Sequence, residues 1–406
     1  MKKLYHKLKN SPVLIVLFLV LVFFTPQNLA KSAENVRNAI ITTVGVDKDG
    51  DVFEVSLLSF IPKAAKEFIQ IYEVTSTKAN SLSEAFNKAE LQLGKDVKLF
   101  HTEMAVLGSG ILTEDISKVL DFFAREESIS SSCILIGTNK TAKEFLEFLQ
   151  KQDENPSNKL SEVMIYNSNN IYAKETSIES FYNGYYSPVK TSEMAYLTLS
   201  DSDNGIILSN PSGSGSSASG DEKQSKQQIK NDGGIILFKE GKMIDVLDNR
   251  FLEGVNWINP KDRKENIVIK NFSDEEVKNA NIAYYLDEKD VIKTVSFQNN
   301  IPVYTASIRI HIDRIEIFGE KEEDGTNIQL INLTEKAKRR IQYEIKSQFA
   351  NSINTLRKHN ADVIGIYREF YTKDRQRFLN FLNSLENKEE YLNNIIFEVY
   401  VEIITD

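Results

Sequence analysis

The side chains best placed to do chemistry are a run of carboxylates, four histidines, one cysteine and a serine–glycine stretch. Asp47-Lys-Asp49-Gly-Asp51 carries the alternating acids of a calcium loop. Such a loop needs carboxylates at its first, third and fifth positions, glycine at the sixth and Glu at the twelfth. Here the glycine is fourth and the twelfth residue is Leu58, so the stretch reads as the turn of a β-hairpin. His6, His101, His311 and His359 lie far apart, and none falls at HExxH or paired-ligand spacing. His311 sits in an alternating strand and His359 near a helix C-terminus, where a cation is favoured. His101, His311 and His359 are all read as structural. Cys133, within Ser132-Cys-Ile-Leu-Ile-Gly137, reads as a small buried hydrophobe, and a single cysteine excludes an internal disulfide framework.

Nucleophile and phosphate motifs are missing as well. No Gly-x-Ser-x-Gly elbow occurs, and Gly213-Ser-Gly-Ser belongs to a linker, not to a strand-to-helix turn. Neither GxGxxG nor GxxxxGK[ST] is present to cradle phosphate. Glu320-Lys-Glu-Glu-Asp-Gly325 reads as a solvated turn. No catalytic, cofactor-binding, metal-binding or lipidation residue is assigned, and no cofactor is expected.

At 406 residues the chain exceeds one core and predicts two or three domains. Apolar residues at 41% and charged residues at 26% are ordinary for a folded body. A net charge of −9 without a basic stripe argues against nucleic-acid binding. It also disfavours adsorption to anionic lipid, so membrane attachment needs a specific segment. Lys2, Lys3, Lys7 and Lys9 followed by the apolar run Val13–Phe24 supply one. That run reaches only ~18 Å as a helix, short of a ~30 Å hydrocarbon core. Residues 1–32 therefore read as an export signal cut after Ser32, or alternatively as a retained N-terminal anchor.

Downstream, apolar segments Asn38–Val46 and Val52–Phe60 flank Asp49-Gly50 as a hairpin. Leu82, Ala85, Phe86, Ala89 and Leu93 predict a helix over Ser81–Leu93, capped by Ser81 or Ser83. A strand at Met104–Gly108, a helix at Thr113–Glu127, a strand at Cys133–Gly137 and a helix at Thr141–Gln150 follow. Tyr166, Tyr172, Phe181, Tyr182, Tyr185 and Tyr186 cover a domain edge with hydroxyls in water, or form a partner-binding surface. Ser209–Gln228 is a flexible linker. Ile235–Phe238 and Met243–Val246 form strands around Glu240-Gly241, and the segment closes on Trp257.

Ile267–Lys270, Val291–Gln298 and Ile301–Phe318 are strand-rich. Ile341, Ile345, Phe349, Ile353 and Leu356 stripe a long helix capped by Thr334, and Ile395–Ile404 alternates as a final strand. The fold class is α+β: tandem mixed α/β lobes, with β-sheets flanked by helices, after the N-terminal signal segment. The divisions are 1–32, 33–208, a linker over 209–232, and 233–406, the last read as one region or as lobes 233–265 and 266–406.

These residues carry a resemblance. Gly234, Phe238, Lys239, Glu253, Gly254 and Trp257 fall on the pattern that opens the C-terminal region of the Ger(x)C family, the C subunits of spore nutrient-germinant receptors. Gly45-Val-Asp47-Lys-Asp49, Ser83-Glu-Ala85, His101 before Leu107-Gly108, and Asp121-Phe122 with Arg125-Glu126 follow the family's N-terminal order. Ala361-Asp-Val-Ile-Gly365 and a helix with Phe378 and Phe381 resemble its C-terminal end. The resemblance implies a non-catalytic membrane-associated subunit, exported to the outer face of the cytoplasmic or spore inner membrane. It would act in spore germination with A-type and transporter-like B-type subunits. Family members are typically lipoproteins, whose lipidated cysteine would fall here near Leu29 or Ala30; none is there. The alternatives are an exported solute-binding protein that captures a small molecule between domains and, behind it, an exported hydrolase.

Overall fold

The computed structural model describes residues 38–62, 70–152, 155–169, 174–199, 229–259, 266–273, 280–318 and 333–404. The leader, His6, Tyr172, the 209–228 linker and the 320–325 turn lie outside the described residues, as does the Tyr166 side chain.

The first hairpin pairs β1 (Asn38–Asp49) with β2 (Val52–Pro62) around Gly50, whose φ of 59° suits glycine. Next come β3 (Gln70–Ala79), helix α1 (Leu82–Leu93), β4 (Asp96–Lys98) and β5 (Met104–Leu107). Ser81 caps α1 by accepting the Glu84 N–H, and Gly94 ends it in the left-handed region. Then follow α2 (Ser109–Leu112), α3 (Ser117–Arg125), β6 (Ile134–Thr138), α4 (Ala142–Gln152), α5 (Pro156–Asn169), α6 (Ile178–Tyr185) and β7 (Thr191–Leu199).

The helix expected over 113–127 is shorter. The Ile116 N–H is taken by the Gly241 carbonyl (3.0 Å) and the Ser117 N–H by Asp115 Oδ1 (2.9 Å). A distant pairing thus claims the turn that local propensity would have made helical.

The strands β8 (Ile229–Lys239) and β9 (Lys242–Leu247) turn at Glu240-Gly241, both at positive φ. They complete one nine-stranded sheet of order β3-β2-β1-β5-β6-β7-β8-β9, with β4 beside β1. The central strands β1, β5, β6 and β7 run parallel, and β2, β3, β8 and β9 add antiparallel flanks. The pair after the expected linker thus hydrogen-bonds to the last strand before it.

Helix α7 (Asn249–Asn256) leads to β10 (Asn266–Phe272), β11 (Ala280–Gln298) and β12 (Ile301–Phe318). Helix α8 (Glu335–His359), α9 (Ile366–Lys373), α10 (Arg375–Ser384), a 3-10 turn over Lys388–Asn394 and β13 (Ile396–Ile404) end the chain. These strands form a second sheet, β10-β11-β12-β13, with α8 on one face. The expected stripe is buried: Ile341, Ile345, Phe349, Ile353 and Leu356.

Strand β8 is the seam between the lobes. Ile236 and Phe238 enter the core with Phe123 and Phe181, while Ile235 and Leu237 enter the core with Phe349 and Ile353 of α8. A strand buried on both faces shows no alternation, which is why it reads as a plain apolar run.

Candidate functional site: the junction of the two lobes

Beyond β8, the lobes meet at a short segment, Ala361-Asp-Val-Ile-Gly365. Asp362 is 5% exposed, and its carboxylate collects four donors. These are the N–H groups of Gly365 (2.8 Å), Ile366 (2.9 Å) and Tyr367 (2.7 Å), and the Tyr391 hydroxyl (2.6 Å). The arrangement caps α9 and lets Gly365 hold φ 82°. On its main-chain side, the Asp362 carbonyl accepts Thr191 Oγ1 (3.0 Å), which in turn accepts the Asp362 N–H (3.3 Å). Thr191 begins β7 of the first sheet, so one residue ties both lobes. Burial and the adjacent carboxylate push the Tyr391 hydroxyl well above its ordinary pKa.

Beside this knot lies a cleft of about 530 Å³. Its walls include Glu175, Asn183, Val189, Tyr367, Arg368 and Tyr371. Tyr367 and Tyr371 stack with centroids 5.8 Å apart, and Arg375 lies 5.0 Å over the Tyr371 ring. Glu193, buried at the cleft, pairs with Lys174. The size suits a small molecule, yet among the described residues no pair of carboxylates or nucleophile and base is arranged across it at bonding distance.

Open α/β sheets bind anions where helix N-termini gather at the carboxyl ends of parallel strands. Here that place is filled from within. Asp47, at the end of β1, accepts the Lys48 N–H (2.9 Å) and the Ala142 N–H opening α4 (3.0 Å). A Cβ at Gly108 or Gly110 would collide with its carboxylate. Burial raises the Asp47 pKa, and the N–H groups of Lys48, Ala142, Gly110 and Ile111 work against that rise. The hairpin reading of residues 47–51 holds, while Asp47 turns inward as a cap, a role the sequence reading missed. Its signal was the helix-opening Gly108-Ser109 and Thr141-Ala142, which only the fold brings to one point.

The other singled-out residues are dispersed. His101 is exposed beside Phe100, His311 lies 4.0 Å from Asp287, and His359 Nε2 lies 2.9 Å from Asp245 Oδ2. Among the described residues, no group of three His, Cys, Asp or Glu could hold a metal. Cys133 is buried, and burial pushes its thiol up to about 12. Phe238 is core, Gly234 holds φ 77°, and Trp257 donates to Gln348 Oε1 (2.6 Å). Gly254 lets α7 approach α8, because a Cβ there would strike Gln348 O and Ser352 Oγ. Tyr182, Tyr185 and Tyr186 form one cluster; Tyr186 is exposed, but the Tyr182 hydroxyl is buried without a bonding partner.

Fold and junction therefore define a two-sheet α+β protein whose lobes are stapled by a buried carboxylate. Residues 33–199 match the family model described as spore germination protein N-terminal domain, and residues 233–404 match spore germination B3/GerAC like, C-terminal. The chain is 21% identical over 382 residues to "Spore germination protein KC" of Bacillus subtilis (strain 168), covering 90% of this chain and 88% of that one. It also resembles a solved structure titled "Crystal Structure of the GerBC protein". There the TM-score is 0.51 at 10% identity, over 89% of this chain and 96% of the other. The chain belongs to the Ger(x)C family of spore germination proteins.

Proposed function

We propose that the protein is the C-type subunit of a spore nutrient-germinant receptor: a non-catalytic scaffold or coupling component acting with A-type and B-type membrane subunits. The observation that carries this reading is the pair of germination-family matches, which together run from residue 33 to 404. A buried inter-lobe knot, and helix N-termini already neutralised by Asp47, support a body that relays contacts instead of turning over a substrate. The protein works on the outer face of the cytoplasmic or spore inner membrane, held by its leader or by its membrane partners. No helix among the described residues is long and apolar enough to cross a membrane.

Deleting the gene and following nutrient-triggered loss of spore refractility tests the reading, in a strain lacking redundant receptors. Slowed germination with at least one nutrient is expected; unchanged germination with all of them refutes it. The inter-lobe cleft favours a second reading, an exported solute-binding protein that captures a small molecule between its domains. A nutrient that raises the melting temperature of wild-type protein but not of Arg368→Ala would favour that one.

A further inference from the structure

Strand β9 is an edge of the nine-stranded sheet, and its outer side is only partly covered. At its first residue the chain pairs with itself: Asp115 and Lys242 form an isolated antiparallel bridge, and the Ile116 N–H bonds the Gly241 carbonyl. Past that point the edge has no strand neighbour among the described residues. Met243, Ile244 and Val246 are each more than a third exposed, at 37%, 36% and 37%. Open edges carrying apolar side chains pair with other chains unless they are blocked. Here the blocking is slight: a register shift falls between Leu237 and Phe238 opposite, and the Val246 N–H is capped by the neighbouring Asp245 Oδ1 (2.8 Å).

Alongside this edge runs a groove of about 550 Å³, with Asp245 and Val246 on one wall and Glu344, Asn351 and Thr355 of α8 on the other. Helix α8 packs beneath the sheet through Phe349, Ile353 and Leu356. A strand added to β9 would thus continue the sheet over the polar flank of α8, one face toward the groove. Arg250, Lys358 and His359 also line the groove, and its excess of acid lies where α7 faces α8. Glu253 is half-buried there, and its carboxyl is raised above the usual range by burial and by the neighbouring charges of Asp248 and Glu344. Arg250 is engaged by Asp248, and among the described residues neither Glu253 nor Glu344 forms an ion pair.

We propose that the β9 edge is a docking site for an extended segment of a partner protein, in which apolar residues alternate with Lys or Arg. The segment adds antiparallel to residues 243–247, and its basic side chains reach Glu253 and Glu344. Main-chain bonds supply affinity and the acidic groove supplies choice, as in other strand-addition interfaces. Charge complementarity selects this occupant: Asp245 and Asp248 are engaged by His359 and Arg250, and Glu253 and Glu344 outnumber the remaining cation of the lining, Lys358, so an acidic segment would be repelled there. The proposal rests on the reading of the protein as a scaffold and names one of its contact surfaces.

The test uses the exported portion and a fluorescein-labelled peptide of alternating Val and Arg, read by anisotropy. Saturable binding is expected, weakened at least tenfold in the E253Q/E344Q variant and lost when alternate peptide nitrogens are methylated. Val246→Pro removes an N–H that the β8 ladder does not use, and should also abolish binding while leaving the circular dichroism spectrum unchanged. Equal binding to wild type and E253Q/E344Q, equal binding of the methylated peptide, or binding of an alternating Val–Glu peptide as tightly would each overturn the proposal. Spores separate the two levels. If deletion slows germination but Val246→Pro and E253Q/E344Q do not, the docking site fails and the scaffold reading stands. If deletion itself has no effect, the scaffold reading fails whatever the peptide does.

Discussion

Replacing Asp362 by Ala removes one carboxylate and leaves four donors without their acceptor. Ile366 is fully buried, so its N–H forfeits its bond outright; those of Gly365 and Tyr367 open α9 beside the cleft, where water can reach them, and forfeit only part of the ~1.5–3 kcal/mol of a bond to a charged acceptor. The Tyr391 hydroxyl is different, since the residue is 4% exposed and its orphaned donor carries most of an unsatisfied group's cost, ~1–3 kcal/mol. Together these losses come to about 3–5 kcal/mol, a large share of the ~5–15 kcal/mol of a typical domain. The assay is urea unfolding followed by Trp257 fluorescence, that indole being 4% exposed in the second lobe. Tyr391→Phe alone should cost about 1–2 kcal/mol. Combined with Asp362→Asn, it should show a coupling of at least about 1 kcal/mol in a double-mutant cycle. A loss below about 1 kcal/mol for Asp362→Ala, or strict additivity in the cycle, would refute the claim that this carboxylate holds the junction.

The same tyrosine predicts an alkaline limit. Its folded pKa lies above the unfolded value of 10.0, so the native state keeps a proton that the unfolded chain releases. Stability therefore falls as pH rises above about 10, and Tyr391→Phe should flatten that fall in denaturation midpoints taken from pH 9 to 11.5. Asp47→Ala strips the acceptor from the Lys48 and Ala142 N–H groups but also removes a desolvated charge; a net loss of about 1–3 kcal/mol in urea is expected. Gly254→Ala forces α7 off α8 and should cost at least about 2 kcal/mol, measured in the same way. Cys133, buried and with a thiol held near 12, should react with a chromogenic disulfide only after unfolding in guanidinium; rapid labelling of the native protein would contradict its placement.

What the chain announces in advance is whatever depends on neighbours in sequence. The Gly50 hairpin, the Ser81 cap of α1, the Thr334 cap and five-residue stripe of α8, and the Glu240-Gly241 turn all rest on contacts within a few residues. The second roles of Asp47 and Asp362 were hidden because their partners lie far along the chain: Ala142 is 95 residues from Asp47, and Thr191 is 171 from Asp362. The shortened α3 was hidden for the same reason, its first turn being held by Gly241. In the family pattern, residues that look like a site separate by cause. Gly234 and Gly254 are fixed by backbone geometry, whereas Glu253 has no ion pair among the described residues to account for it.

That difference bears on how the lobes work together. Because β8 is buried on both faces and Thr191 bonds the main chain of residue 362, the lobes cannot separate without opening two cores and a hydrogen-bonded loop. Relative motion of the sheets by a hinge at this junction is therefore expensive, and a signal crossing it would travel as a small shift of packed elements. The β9 edge, α7 and the start of α9 are where such a shift would surface, since each touches α8 or the knot on one side and solvent on the other. Thr191→Val, which keeps the shape of the side chain and deletes its hydroxyl, isolates this coupling. It leaves the Asp362 N–H and C=O unpaired at a buried position and should cost about 1–3 kcal/mol. Amide exchange should quicken in β7 and α9 together; quickening confined to one lobe would mean that the Thr191–Asp362 contact does not couple them.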